Sequence, residues 1–237
     1  MTATIGIDFG TAYTCVSAYK DNSFHILENF GEKKMLNYVK LDNDEQKISK
    51  NMDIRTNYNK IIYYPKIFLA TKHKVSLNSL NTPFQQKHDS SSDRIDFEMN
   101  GRTYAPEEVA SIFLKKSKSL AESFLKTEVN NAVITVPSNF TDSQRKALLD
   151  SARIAGLNCM SLLNDTTASA IAYAYDKKIE NRDNILIFDL GAYYLNMSLV
   201  SIEKITENGQ ISTVRCAVDQ HGPSQKTERY GTDTVGG

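Results

Sequence analysis

The chain has 237 residues, with 28 basic and 28 acidic side chains and so no net charge; 41 % of its residues are hydrophobic and 24 % charged. That length and apolar content support one large domain or two smaller ones with sizeable cores and exclude disorder as the main state. No apolar run approaches the roughly 20 residues that span a bilayer, no basic stripe or tryptophan points to nucleic acid, and Cys15, Cys159 and Cys216 are too scattered for a disulfide framework or a zinc site.

The composition therefore reads as a soluble protein of a reducing compartment, cytoplasmic, with the endoplasmic reticulum as the alternative if a signal has been removed. Met1-Thr2-Ala3-Thr4 carries no basic cluster and no long greasy stretch, which predicts no secretory signal.

In chain order, Thr4 to Ile7 reads as a short strand that stops at Asp8-Phe9-Gly10-Thr11, and Thr14 to Tyr19 as the strand that returns. Ser23 to Glu28 predicts a third strand. From about Lys47 to Asn100 the chain turns polar, with Ile61-Ile62-Tyr63-Tyr64 as one of its few apolar clusters and Gln85 to Arg94 expected as an exposed loop. Pro106, followed by two glutamates and an apolar face at helical spacing, predicts a helix over 106–126. Ala132 to Val136 reads as a buried strand. Thr141 and Gln144 have the spacing of a capping box, and the helix they open runs to Gly156. A strand at Met160 to Leu163, a small-residue helix at Thr167 to Tyr175, and strands at Asn184 to Phe188 and Leu195 to Val200 complete an α/β pattern.

The chain also repeats itself. Ile5-Gly6-Ile7-Asp8-Phe9-Gly10 and Leu186-Ile187-Phe188-Asp189-Leu190-Gly191 share apolar residues, then Asp-x-Gly, then a return strand, and both Asp and Gly stand at a constant offset of 181. A strand end bearing a carboxylate and a tight glycine turn suits polyphosphate: the glycine lets backbone N–H groups approach phosphate oxygens, and the carboxylate holds a magnesium ion or its waters.

These residues, together with Ala132-Val133-Ile134-Thr135-Val136-Pro137, Asp142-Ser143-Gln144-Arg145, Ala155-Gly156-Leu157-Asn158 and Leu163-Asn164-Asp165-Thr166-Thr167-Ala168, resemble the nucleotide-binding domain of the 70-kDa heat-shock protein family. The resemblance implies an actin/hexokinase-like (RNase H-like) ATPase fold, with residues 1–183 as a first lobe carrying a polar insertion at about 47–100, and 184–237 as the start of a truncated second lobe. It implies ATP or ADP with Mg2+ as cofactors. Asp8, Gly10, Thr11, Ala12, Tyr13 and Gly191 would hold the nucleotide, Asp8 and Asp189 would contact magnesium through water, and Lys66, Asp165 and Asp189 would be catalytic. Pro137 and Arg145 match residues by which the family couples nucleotide state to its substrate domain.

Several positions depart from the family pattern. Asp165 replaces a glutamate, Ala12 a hydroxyl residue, Ala192-Tyr193-Tyr194 glycines and a threonine, and Asn196 a carboxylate, so hydrolysis is expected to be weak or absent. Tyr193 and Tyr194 are expected to pack into and close the second phosphate site, and Gly10→Val to act by steric exclusion of phosphate. Glu107 to Glu122 and an insert around Glu203 to Asp219 resemble the enlarged 110-kDa and 170-kDa relatives. The expected function is the ATP-binding part of a chaperone assisting protein folding. Its partners would be a co-chaperone or main-family chaperone, and unfolded polypeptide only if a peptide-binding domain follows; no nucleic acid or membrane is expected. The alternatives are a non-catalytic nucleotide-exchange or interaction module and, third, a small-molecule kinase of the same superfamily, against which Asn196 and Ala192 speak.

Overall fold

The computed structural model describes residues 3–42, 45–48, 61–71, 85–89, 94–176, 182–207, 210–219 and 227–231. The chain divides into two compact units, Met1–Leu162 and Leu163–Gly237.

The first unit is built on a sheet of β1 (Ala3–Phe9), β2 (Tyr13–Lys20), β3 (Ser23–Ile26), β4 (Met35–Leu36), β11 (Val129–Val136) and β12 (Asn158–Asn164), in the order β12-β11-β1-β2-β3 with β4 also on β2. β1 pairs antiparallel with β2, placing Ile7 opposite Val16 and Asp8 opposite Cys15, and parallel with β11, placing Ile7 beside Ile134. The parallel pair requires a long crossover, and α2 (Pro106–Leu125) lies within it. Its buried stripe, Val109, Phe113, Leu114 and Ala121, belongs to the same core as Ile5, Ile7, Val129, Ile134 and Val136.

Both predicted helices of this unit form. Ala105 has no side-chain acceptor, so the start of α2 has only half a capping box, the Ala105 N–H donating to Glu108 Oε2 at 2.9 Å. α3 (Asp142–Ile154) has the full box: Gln144 N–H donates to Thr141 Oγ1 at 3.3 Å and Thr141 N–H to Gln144 Oε1 at 3.0 Å. Gly156, at φ +72°, takes the left-handed position past its end.

Residues 49–60, 72–84 and 90–93 of the polar stretch lie outside the described residues; its described parts form strands and a short helix. β5 (Tyr38–Asp42) pairs with β6 (Glu45–Lys47) and β7 (Ile61–Tyr63), and α1 (Pro65–Phe68) follows directly. β8 (Gln85–Asp89), β9 (Arg94–Met99) and β10 (Arg102–Tyr104) form a third sheet in the order β10-β9-β8. Gln85 to Arg94 is thus not simply an exposed loop: Gln85–Asp89 is an edge strand on β9, with Gln86 opposite Phe97 and His88 opposite Ile95. The apolar side chains sit on its partner, and Phe97 meets Phe68 edge-on at 5.0 Å.

In the second unit, β13 (Arg182–Leu190), β14 (Leu195–Glu207), β15 (Gln210–Asp219) and β16 (Thr227–Gly231) form a meander in sequence order. The segment expected as an insert, Glu203 to Asp219, is the far end of β14 paired antiparallel with β15, Glu203 opposite Arg215. α4 (Asp165–Asp176) packs on this sheet through Ala170 and Ala174 against Val200 and Ile202, with Ile171, Ile185 and Ile187 around them. Small helix residues let the axis approach the strands closely, which is why the alanine-rich 168–174 segment suits this place.

Candidate functional site

The two Asp-x-Gly turns have the same construction. In the first, Gly10 N–H donates to Tyr13 O at 2.9 Å; in the second, Gly191 N–H donates to Tyr194 O at 2.9 Å. Asp8 lies opposite Cys15 across its hairpin, and Asp189 opposite Asn196 across its own. The repeat in sequence is therefore a repeat in register and in turn closure, with Cys15 and Asn196 at equivalent places.

At the first turn Asp8 is solvent-accessible and its Oδ1 accepts from Thr135 Oγ1 at 3.1 Å. Burial, and then the Asp8 carboxylate, push the Cys15 thiol up from its ordinary value, while Lys34 pulls it down; the thiol beside Asp8 stays protonated at neutral pH. A Cβ on Gly10 would stand 2.7 Å from Tyr13 O. Gly10→Val would therefore collide with the turn's own backbone, which corrects the expectation that it acts only by excluding phosphate. Thr11 and Ala12 are buried, Tyr13 is exposed, and among the described residues the Thr11 and Ala12 N–H groups meet no backbone acceptor.

Asn37, which sequence reasoning missed, lies beneath this turn. It is fully buried; its Nδ2 donates to Gly10 O at 2.7 Å and Thr11 O at 3.3 Å, its N–H donates to Ala12 O at 2.9 Å, and its Oδ1 accepts from Thr14 Oγ1 at 2.7 Å. The only sign in the sequence is a lone amide between the apolar pairs Met35-Leu36 and Tyr38-Val39. Lys66 is buried in α1, 1 % exposed, with its Nζ 5.6 Å from the centre of the Phe140 ring. Phe140 connects onward, its N–H donating to Pro137 O at 3.1 Å and its carbonyl accepting from Arg145 Nε at 3.2 Å. Lys66, expected near phosphate, thus shares Phe140 as a neighbour with Pro137 and Arg145, the residues expected to couple nucleotide state.

The second unit holds the remaining predicted residues. Asp165 opens α4, and Thr166 Oγ1 shares a buried 2.8 Å hydrogen bond with Ser198 Oγ of β14. Buried Thr167 Oγ1 has no hydrogen-bond partner among the described residues. Asn196, also buried, donates from Nδ2 to Asp189 Oδ2 at 3.3 Å. Tyr193 and Tyr194 meet edge-on at 5.0 Å. Half of Tyr193 is exposed, whereas burial pushes the Tyr194 hydroxyl up to about 12. A Cβ on Gly191 would stand 3.3 Å from Tyr194 O, a looser fit than at Gly10.

The donor set fits a magnesium–polyphosphate group at the first turn: an accessible carboxylate, a glycine with no room for a side chain, and amides with no competing carbonyl. In the second turn the backbone is conserved in shape while the polar side chains are changed.

Comparison with known proteins identifies the family. A family model described as Hsp70 protein matches residues 4–224. A heat shock 70 kDa protein of Emericella nidulans is 38 % identical over 213 residues, 86 % of this chain and 33 % of that protein. Heat shock 70 kDa protein 2 of Paracoccidioides lutzii is 38 % identical over 213 residues, 86 % of this chain and 32 % of its own length. A heat shock 70 kDa protein of Neurospora crassa is 36 % identical over the same number, again 86 % of this chain and 33 % of that protein. The chain spans about a third of the length of these curated relatives. The chain belongs to the Hsp70 protein family, with its α/β, actin/hexokinase-like ATPase fold.

Proposed function

We propose that this chain is the ATP-binding part of a divergent heat-shock-type chaperone, working in the cytoplasm with a co-chaperone or a main-family partner, and that its hydrolysis is weak or absent. The observation that carries the reading is the pair of equivalent turns, one that keeps its carboxylate and free backbone amides and lacks only the hydroxyl at Ala12, and one altered at several polar positions. Bound Mg2+ would supply charge neutralisation at the phosphates. Asp8 would orient the ion's waters, the Thr11, Ala12 and Tyr13 amides would hold phosphate oxygens at the turn that Gly10 closes, and Lys66 would place a cation near the terminal phosphate.

At the second turn Asp189 keeps a carboxylate, but Asn196 offers an amide in place of a second charge and Ala192-Tyr193-Tyr194 adds bulk where glycines would give backbone access. Asp165 is one methylene shorter than the family's glutamate. Each of these changes removes or displaces a group that would orient attacking water, while the first turn loses a hydroxyl at Ala12 but keeps its backbone donors, so binding without efficient turnover is the expected behaviour.

Calorimetric titration with Mg-ATP alongside a phosphate-release assay tests this. Measurable binding with turnover far below a main-family chaperone supports it. Robust magnesium-dependent hydrolysis contradicts the second half, and no binding at all favours a non-catalytic nucleotide-exchange or interaction module.

A further inference from the structure

The geometry points to Asn37 as the positioning residue that holds the Gly10–Tyr13 turn and the Lys66 turn in one phosphate-binding arrangement, an inference that rests on the ATP-site reading above. Asn37 draws three successive carbonyls toward itself, those of Gly10, Thr11 and Ala12. In a planar trans peptide the C=O of one residue and the N–H of the next point in opposite directions. With these three carbonyls turned inward, the N–H groups of Thr11, Ala12 and Tyr13 are turned away from Asn37, on the side an anion would approach. A run of backbone N–H groups facing the same way is an anion-binding nest. Gly10 allows the close turn, and Asn37 gives it its direction.

The same residue reaches the second element. Tyr64 N–H donates to Asn37 O at 3.2 Å, and Tyr64, at φ +58°, is the residue from which α1 and Lys66 begin. Oδ1 accepts from Thr14 Oγ1 at 2.7 Å, which fixes the orientation of the amide so that Nδ2 faces the carbonyls. The side chain and backbone of one buried residue therefore tie the amides that would hold phosphate to the turn that carries the lysine.

The test uses the 237-residue chain as wild type, Asn37→Ala, Asn37→Asp, Lys66→Ala and the double variant Asn37→Ala/Lys66→Ala. Two readouts are taken: calorimetric affinity for Mg-ATP and for magnesium with inorganic triphosphate, and amide hydrogen exchange without ligand. Asn37→Ala is expected to weaken both ligands about tenfold or more. Asn37→Asp should do worse despite equal size, because a carboxylate would face the Gly10 and Thr11 carbonyls. Lys66→Ala should cost less in the Asn37→Ala background than in the wild type, a non-additivity that general destabilisation does not produce. In the free protein, exchange should accelerate at Thr11 to Tyr13 and at Tyr64 while the α3 amides stay unchanged. Should Asn37→Ala fail to fold, Asn37→Ser, which keeps one hydrogen-bonding oxygen in the cavity, carries the same comparison. A wild type that binds with variants that bind equally well, or losses that simply multiply, overturns the assignment of Asn37 alone. A wild type that binds neither probe overturns the ATP-site reading and the phosphate role of Asn37 with it.

Discussion

On the proposed ATP-site reading, Asp8 is the residue on which metal dependence turns. Its Oδ1 already accepts from Thr135 Oγ1, and an asparagine keeps that acceptor while losing the charge. Asp8→Asn is therefore expected to abolish the magnesium dependence of nucleotide binding while shifting the melting temperature by no more than about 2 °C, since it lies at an accessible strand end. Titration with and without chelator, beside a thermal melt, checks both parts. Glu107, in the first turn of α2, titrates in the opposite sense to a paired carboxylate. Burial raises its pKa first and Asp96 and Asp150 add to the rise, against its own backbone hydrogen bond and Arg94, and its Oε2 is buried with no hydrogen-bond partner among the described residues. The folded chain thus binds that proton more tightly than the unfolded one, so this contribution favours folding at acid pH and is lost as pH rises through the raised value. Glu107→Gln should be slightly more stable than wild type at pH 7, by less than about 1 kcal/mol after solvent screening, and the gain should vanish near pH 4. Denaturant melts at the two pH values measure it; a variant less stable at pH 7 would contradict the argument.

At the scale of elements, the two hairpins share a backbone and differ in what stands opposite the carboxylate. In β13 and β14 that partner is buried Asn196, which donates to Asp189. Asn196→Asp would replace a donor with a second carboxylate directly across the ladder, and like charges so placed destabilise. We expect the variant to lose about 1–3 kcal/mol in chelator and to recover much of it with millimolar Mg2+, whereas the wild type responds far less to the ion. Melts with chelator and with magnesium give the answer; equal responses would show that Asp189 and its neighbour do not form half of a metal site. The hairpins were legible in the sequence because period-two alternation and Asp-x-Gly are local signals, as are Thr141 with Gln144 at the start of α3. Gln85–Asp89 was not, because its five residues are polar and acquire strand geometry only by pairing with Arg94–Met99, whose apolar side chains are buried. The short β4 was missed for the same reason: Met35 and Leu36 are fixed by pairing with Thr14 and Tyr13, far away in sequence. At the site, Asp8, the glycines and Lys66 carry motif chemistry, while Asn37 works through backbone carbonyls that any sequence possesses, so nothing in the residue types around it announces its role.

For the molecule as a whole, the property with the largest practical consequence combines surface and charge. Along β13 and β14 one set of alternate residues, Ile185, Ile187 and Val200, faces α4, and the other is bare. Leu186 lies opposite Leu199, Phe188 opposite Met197 and Leu190 opposite Leu195, each 45–72 % exposed. Six large side chains at that exposure amount to roughly 500–600 Å² of contiguous apolar surface, at the upper end of what a monomeric protein carries. The 28 basic and 28 acidic side chains cancel, so at neutral pH no net repulsion keeps such surfaces apart. We expect the 237-residue chain to self-associate in a concentration-dependent way near pH 7. The double substitution Phe188→Lys with Met197→Lys should suppress it, since it places two like charges in the middle of the patch and gives the chain a net charge. The side chains are exposed, so secondary structure and the melting temperature of the unit should change little. Light scattering across a concentration series, with circular dichroism on the same samples, separates the outcomes: scattering that falls in the variant supports the patch as the cause. Equal scattering from both proteins, or a wild type that remains monomeric at high concentration, would mean that this face does not drive association.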